Sequence, residues 1–426
     1  MGRRGRKITK KSTAKEEEPA EIPYSKYRAL ATNVGVGALI FVSCTFVGSQ
    51  SRQLSQYATT DSLTTVLGGA SSAVWGQRVG DGTKDSSNKD TTSSSGSTPN
   101  TYEGYIPAPF EAYIMNNTEK LKLEAQNPAL TPTCYLWTDP QSTPYYNQVV
   151  DYMHELDVYT KMVKSFQIAN VTDLRKNVTS DNHDICEQLK LHPDGLPGIF
   201  VKSQQLSYTR AGWVEPLYPS MRHPKYCLEP TNNDFLMDTS YIIHDFHALC
   251  KSLKPNSRTI FIDMGAALNF HAGQQSPTFD ILDIFKRFGF HFDHVYAWEL
   301  RAKDVNQVFD AVPQYLETSF HWINTGVSSE KASKHNPWRL LLENYHPDDL
   351  VIVKLDIDAP QLERELADQL ENSTQLASLI DHFYFEHHVN QEELFRHWRG
   401  TTESVLDSLK LFSTLRKHGM AAHYWV

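Results

Sequence analysis

The fold of this chain is constrained most strongly by an alternation of short apolar segments with amphipathic segments, from residue 256 to the C-terminus. The apolar segments have the length of buried strands, and the segments between them repeat apolar residues with the period of a helix. Ser276 and Pro277 open the first helix as a cap and a first-turn proline. This alternation predicts parallel crossovers and a doubly wound α/β sheet. The predicted strands are TIFIDMG, DHVYAWEL, SFHWINTGVS, DLVIVKLDID, DHFYFEHHV and MAAHYWV; the predicted helices are SPTFDILDIFKRFG, PQLERELADQL and TTESVLDSLKLFSTLRKHG.

The N-terminus has the pattern of a membrane anchor. Residues 1–28 begin with a cluster of Arg and Lys, and residues 29–49 are apolar and long enough to fill a membrane span. Because basic residues stay on the cytosolic side, we expect a cytosolic tail and a single-pass type II signal anchor, with the head in the lumen of the Golgi or endoplasmic reticulum. The alternatives are a cleaved signal peptide, a core helix and an organelle-targeting segment.

Two segments separate this anchor from the predicted sheet. Residues 50–105 are rich in Ser, Thr, Gly and Asp, a composition that buries too little apolar surface to fold, so we expect a flexible stem. Residues 106–254 mix helical patterns with long loops and contain four cysteines. They predict a helical, disulfide-containing subdomain that precedes a Rossmann-like domain at 255–426.

Cysteine usage and glycosylation motifs agree with an oxidising compartment. Beyond Cys44 in the apolar segment, four cysteines predict two disulfides with three connectivities, whereas four free buried thiols would indicate a cytosolic protein. Their spacing fits no zinc site. Four N-x-Ser/Thr sequons follow the anchor. The cysteines are Cys134, Cys186, Cys227 and Cys250, and the sequons begin at Asn116, Asn170, Asn177 and Asn372.

Acidic side chains stand at or near the ends of several predicted strands. Parallel strands end at one edge of a sheet, and ligands bind beyond that edge. One acid in such a position is usually a solvated terminus, but acids on four strands of one edge favour a binding site. The formal charge of -9 argues against a general nucleic-acid partner, which needs clustered Lys and Arg. The strand-end acids are Asp263, Glu299, Asp356 with Asp358, and Glu386.

These strand ends carry a resemblance to a known family. FIDMGAAL, VYAWEL and VIVKLDIDAPQLE resemble class I S-adenosylmethionine-dependent methyltransferases, most closely the FkbM-type O-methyltransferases. The blocks DMGA, KLDID and FEHHV are also similar to those of predicted methyltransferase-like membrane proteins of algae. The resemblance covers residues 256–426 and implies a Rossmann-like fold, S-adenosylmethionine as the methyl donor and a glycan or small hydroxyl compound as the acceptor.

The resemblance also implies a donor site. Asp263, Gly265 and Ala267 match the turn that approaches the methionine moiety, although the family normally has Gly where Ala267 stands. Glu299 matches the acid that binds both ribose hydroxyls, which two carboxylate oxygens can accept. Two further departures are the extra NFHAGQQ segment before Glu299 and a C-terminus too short for the usual last hairpin. The cofactor-binding set is Asp263, Gly265, Ala267, Glu299, Asp356 and Asp358.

Methyl transfer to a hydroxyl needs donor and acceptor in line and a group that takes one proton. His387 and His388 are candidates for that base, with Asp356 beside the reacting centre and Glu386 orienting a histidine or binding a metal. His271 is a weaker candidate. The alternative for the histidine pair is a purely structural role at the end of a strand.

Two other functions compete with methyl transfer. Asp356-x-Asp358 after an apolar strand also fits the D-x-D motif of a metal-dependent glycosyltransferase, with Glu386 as a further ligand for a divalent metal. A non-catalytic methyltransferase-like binding module is the third candidate. Lys354 is predicted either to pair with an acid of the site or to extend from a strand end to solvent. An aromatic and basic cluster could bind a glycan or form a disulfide-bound structural loop: Trp213, Tyr218, Arg222 and His223.

Overall fold

The computed structural model describes residues 105–426, except 127–128, 142–143, 180–182, 192–211, 230–232, 271–273 and 399–400. The predicted tail and anchor, nearly all of the predicted stem, and His271 lie outside these residues. Among the described helices, none combines the length and the apolarity needed to cross a bilayer.

A six-stranded, all-parallel sheet forms the centre of the described part, and its order is β5-β4-β1-β6-β7-β8. All six predicted strands are present. Four of them, β1, β6, β7 and β8, are buried along their whole length, as expected for a parallel sheet covered on both faces. β2 and β3 form a separate antiparallel pair. The bounds are β1 Thr259–Met264, β2 Asn269–Phe270, β3 Gln274–Gln275, β4 His294–Trp298, β5 Phe320–Ile323, β6 Leu350–Leu355, β7 His382–Phe385 and β8 Ala421–Tyr424.

The helices follow the predicted alternation. The three predicted helices appear as α6, α9 and α11. Ser276 occupies the cap position of α6 but makes no side-chain cap hydrogen bond, whereas Ser404 and Asp407 form a capping box at α11. The bounds are α1 Pro109–Asn116, α2 Tyr135–Thr138, α3 Tyr146–Ser165, α4 Lys225–Leu228, α5 Phe246–Ser252, α6 Pro277–Arg287, α7 Val305–Ala311, α8 Pro337–Asn344, α9 Pro360–Glu371, α10 Thr374–Ala377 and α11 Val405–Lys417.

The strand order defines where a ligand can bind. From β1 the chain moves outward through β4 and β5, then returns to the other side of β1 and continues through β6, β7 and β8. This reversal creates a crevice at the carboxyl end of β1, the usual ligand position in a Rossmann-like sheet. The edge strand β8 runs parallel to β7, so these two strands of the described part form no hairpin.

The elements before residue 255 share a hydrophobic core with the sheet. Phe246 of α5 stacks on Phe288 after α6, with ring centroids 3.8 Å apart. The Tyr241 hydroxyl donates a 2.6 Å hydrogen bond to the carbonyl of Tyr424 in β8. The N-terminal part is thus held against the sheet and can contribute side chains to a site at its edge.

Two disulfides tie this N-terminal part together, which confirms the predicted number and selects one of the three connectivities. The bonds join Cys134 to Cys227 and Cys186 to Cys250, with sequence separations of 93 and 64. Each bond therefore closes a long loop and restricts the unfolded chain.

Removing the second disulfide should destabilise the protein. We expect the double variant Cys186→Ala, Cys250→Ala to lose about 2–4 kcal/mol of unfolding free energy in oxidising buffer, as measured by chemical denaturation. In a reductant that opens both bonds, wild type and variant should unfold at nearly the same denaturant concentration. Equal stability in oxidising buffer would contradict the Cys186–Cys250 bond.

Candidate active site at the carboxyl edge of the sheet

A cavity of about 1270 Å³ lies at the carboxyl ends of the strands. Residues after β1, β4, β5, β6 and β7 line one part of it. Another part is lined by Arg222, Asp234, Leu236, Met237, Leu394, His397 and Trp398. The predicted site residues that line it are Gly265, Ala267, Glu299, Asp356, Asp358, Glu386 and His388.

The turn after β1 requires glycine at position 265. Gly265 has a φ of +89°, and an added Cβ would lie 1.6 Å from the backbone oxygen of Asp356. The backbone N–H groups of Gly265 and Ala266 donate to the carbonyl of Trp298 at 3.0 and 2.9 Å. The N–H of Asp356 donates to the carbonyl of Met264 at 3.0 Å. These bonds fix the turns after β1, β4 and β6 against one another.

A buried ion pair network lies directly beneath these turns. The Lys354 Nζ is 3.0 Å from Asp263 Oδ1 and 3.2 Å from Asp356 Oδ2, and it donates to the carbonyl of Gly265 at 3.1 Å. Burial disfavours the ammonium, but the two carboxylates raise the pKa of Lys354 above its ordinary value. Lys354 therefore pairs with acids of the site, one of its two predicted roles. Asp263 is buried behind the cavity wall and acts on the site through Lys354.

Asp356 connects this network to the cavity. Its side chain is 20% exposed and lines the cavity. Burial raises the pKa of Asp356 to about 7; Lys354 opposes this, and the neighbouring charge of Glu386 adds to it. A carboxyl group with this pKa can accept and release a proton at neutral pH.

Glu299 comes directly after β4, beside the turn of Gly265. It is half-buried and lines the cavity together with the exposed Ala267. The Arg301 N–H donates to Glu299 Oε1 at 2.6 Å, and the Asn324 side-chain amide donates to the Glu299 carbonyl at 2.8 Å. The first bond orients the carboxylate, and the second holds the backbone of Glu299 at the edge of the sheet.

Glu386 and His388 form a second polar group beyond β7. Glu386 Oε1 accepts from Arg222 at 2.7 Å and from the Trp398 indole at 3.0 Å, and Glu386 Oε2 lies 3.2 Å from His388 Nε2. Burial opposes the carboxylate, but His388 and Arg222 lower the pKa of Glu386 to about 2. Burial likewise opposes the imidazolium, yet Glu386 raises the pKa of His388 above its ordinary value. Glu386 is thus held ionised, and His388 is biased toward its charged form.

Asp358 projects from the turn between β6 and α9. It is exposed to the cavity and has a φ of +54°, a left-handed conformation that aspartate tolerates better than most residues. The buried Glu363 stabilises this turn, because its Oε1 accepts from the Ile357 N–H at 2.8 Å. Burial raises the pKa of Glu363 to about 7. Asp358, Glu386 and His388 each offer one ligand atom within 4.8 Å of the others, a group that could hold a metal ion.

The histidine pair and the aromatic and basic cluster each contribute only one side chain to the cavity. His387 is buried away from it, with Nε2 2.6 Å from Glu403 Oε2 and Nδ1 2.9 Å from the Ser408 hydroxyl. Of the aromatic and basic cluster, only Arg222 lines the cavity; Tyr218 and His223 are buried in the core. Further lining residues had no strand-end signal in the sequence: Asp234, Leu236, Met237, Leu394, His397 and Trp398.

The cavity is rich in negative charge. Its lining includes five carboxylates and two guanidinium groups: Asp234, Glu299, Asp356, Asp358 and Glu386, with Arg222 and Arg301. Such a surface favours a cationic ligand, or a ligand that arrives with a metal ion, over a bare phosphate.

Comparisons with protein-family models, with curated proteins and with solved structures find no match for this chain.

Proposed function

We propose that the cavity binds S-adenosylmethionine and that the protein is an O-methyltransferase. The observation that carries this proposal is the convergence of Gly265, Glu299 and Asp356 on one cavity at the switch point of the sheet. Glu299 would accept the two ribose hydroxyls, and the close turn at Gly265 would admit the methionine moiety.

The charge of the cavity supports this donor over a dinucleotide. The sulfonium of S-adenosylmethionine is a cation and fits an excess of carboxylates. A pyrophosphate is normally held by the N-terminus of a helix that opens directly after the first strand. Here β2 and β3 follow β1, and the next described helix begins only at Pro277.

Asp356 is the proton acceptor in this proposal. The acceptor oxygen attacks the methyl carbon, the carbon–sulfur bond breaks and its electron pair stays on sulfur, and the hydroxyl proton passes to the Asp356 carboxylate. His388 is less suited to this role, because Glu386 raises its pKa and favours the form that already carries the proton. His387 does not line the cavity and has no part in the step.

A glycan or small hydroxyl compound in the secretory-pathway lumen remains the proposed acceptor, with the head held there by a type II anchor. Two disulfides support an oxidising compartment. The four sequon asparagines are all exposed, as glycosylation requires: Asn116, Asn170, Asn177 and Asn372.

Glu299→Ala tests the donor site. We expect it to weaken S-adenosylmethionine binding about 100-fold, since it removes two hydrogen bonds to a charged acceptor. Calorimetric titration of the full-length protein measures this, with circular dichroism as the check on folding. Glu317→Ala, an exposed glutamate that does not line the cavity, is the matched control and should bind like wild type. Unchanged affinity in a folded Glu299→Ala variant would remove the proposed role of this carboxylate.

One observation favours a second candidate, a metal-dependent glycosyltransferase. Asp358, Glu386 and His388 could hold the ion that such an enzyme places on a sugar-nucleotide diphosphate. This candidate requires sugar-nucleotide binding that depends on Mn²⁺, whereas the methyltransferase requires donor binding without it. A non-catalytic binding module would bind the donor and transfer no methyl group.

A further inference from the structure

We propose that Asp358, Glu386 and His388 form a binding site for one divalent transition-metal ion, for which Mn²⁺ is a suitable probe. The ligand set differs from the D-x-D pattern of the sequence, because Asp356 is held by Lys354 and the imidazole of His388 takes its place. The binding of the ion does not depend on the identity of the methyl donor.

The sheet brings the three ligands together. β6 and β7 are neighbours in the parallel sheet, so the turn that carries Asp358 lies beside the segment that carries Glu386 and His388. All three side chains line the cavity, and their ligand atoms lie within 4.8 Å of one another. Metal–oxygen and metal–nitrogen bonds of about 2.0–2.3 Å need these atoms only slightly closer together.

Contacts with neighbouring residues orient Glu386 and His388 so that their ligand atoms face one another. Arg222 and Trp398 occupy Glu386 Oε1, which leaves Oε2 on the side of His388. The His388 ring stacks on Trp398 with centroids 5.3 Å apart, and the Thr401 hydroxyl donates to the His388 carbonyl at 2.7 Å. Hydrogen-bonded carboxylates and oriented imidazoles of this kind are typical of metal ligands.

Arg222 places a fixed positive group beside the three ligands. It is 2% exposed and lines the cavity, and it donates to Glu386 Oε1 at 2.7 Å and to the Trp425 carbonyl at 2.6 Å. These bonds hold the guanidinium against the Glu386 carboxylate and restrict the orientation of that ligand.

The ligand types indicate the class of ion. Carboxylates alone favour Mg²⁺, Ca²⁺ or Mn²⁺, and imidazole favours the transition metals. Two carboxylates with one imidazole therefore fit Mn²⁺ better than Mg²⁺ or Ca²⁺. The ion would also offset part of the carboxylate excess of the cavity.

Titration of the full-length protein with Mn²⁺ alone, without donor, tests the site. The electron paramagnetic resonance signal measures the concentration of free Mn²⁺, and the bound amount is the difference from the total. We expect one ion per chain, and a loss of affinity of at least about 10-fold in Asp358→Asn and in His388→Gln. Asp358 is exposed, and asparagine tolerates its backbone conformation, so this variant should fold.

The matched control is Asp234→Asn, which removes a carboxylate from the same cavity outside the ligand group. Its Kd for Mn²⁺ should be within about twofold of the wild-type value, because salt screens the long-range attraction between a carboxylate outside the ligand group and the ion. The proposed site is refuted if folded wild type binds no Mn²⁺ or if Asp358→Asn binds Mn²⁺ with the wild-type affinity. It is also refuted if Asp234→Asn loses as much Mn²⁺ affinity as Asp358→Asn. Because the titration contains no donor, each result is independent of whether S-adenosylmethionine binds.

Discussion

Lys354→Met is expected to lower the unfolding free energy by about 3–5 kcal/mol, because it leaves Asp263 buried without its positive partner. The variant should also bind S-adenosylmethionine more weakly. Lys354 also binds the carbonyl of Gly265 and the carboxylate of Asp356, so the turns after β1 and β6 would lose a common support. Chemical denaturation and donor titration measure the two effects.

Two further variants isolate the cause. Lys331→Met removes an exposed lysine and should change stability by less than about 0.5 kcal/mol. The double variant Lys354→Met, Asp263→Asn should recover part of the lost stability, since it also removes the unpaired buried charge. A double variant less stable than Lys354→Met alone would show that the charge of Asp263 is not the source of the loss.

Arg416→Met should destabilise the protein by a similar amount, about 3–5 kcal/mol, through a separate network. Arg416 is fully buried and donates to Glu215 Oε1 at 3.1 Å, to the Glu215 carbonyl at 2.7 Å and to the Ala422 carbonyl at 2.9 Å. Burial raises the pKa of Glu215 to about 7, with Arg416 opposing that rise. Without the arginine, the buried Glu215 carboxylate would lose its positive partner, and the carbonyls of Glu215 and Ala422 would each lose a hydrogen bond.

The neighbouring Lys417 is exposed on the same helix, so Lys417→Met is the control and should leave stability nearly unchanged. Chemical denaturation of the two variants against wild type measures the difference. The folded fraction of Arg416→Met should still bind S-adenosylmethionine, because Arg416 does not line the cavity. A loss below about 1 kcal/mol would mean that the Glu215–Arg416 pair is not required for stability.

The sheet could be predicted from the sequence because its signals are local. Each strand is a short apolar segment, and α6, α9 and α11 show helical periodicity between them. The acids Glu299, Asp356 and Glu386 could be placed together because parallel strands end at one edge. Short elements such as α7 and α8 were not predicted, although Asp304 and Asn336 cap them in the structure.

The two histidines after β7 differ in a way that the sequence does encode. Side chains alternate between the two faces of an extended segment. Glu386 and His388 therefore share one side and line the cavity, whereas His387 points to Ser408 and Glu403. Period-two alternation is thus sufficient to separate the cavity histidine from the buried one.

Contacts between distant segments could not be predicted in this way. Arg222 and Glu386 are separated by 164 positions, and no periodicity links them. The pairing of Cys134 with Cys227 likewise depends on tertiary packing, because sequence spacing permits three connectivities. The part of the cavity that Arg222, Asp234, Leu236 and Met237 form with Leu394, His397 and Trp398 therefore follows from tertiary packing alone.

The most direct test of the proposed donor site is a calorimetric titration of the full-length wild-type protein with S-adenosylmethionine and with its demethylated product, in metal-free buffer. We predict saturable binding of both at one site, with a Kd of about 1–100 µM. No binding of either compound to a protein shown to be folded would contradict the proposed donor site.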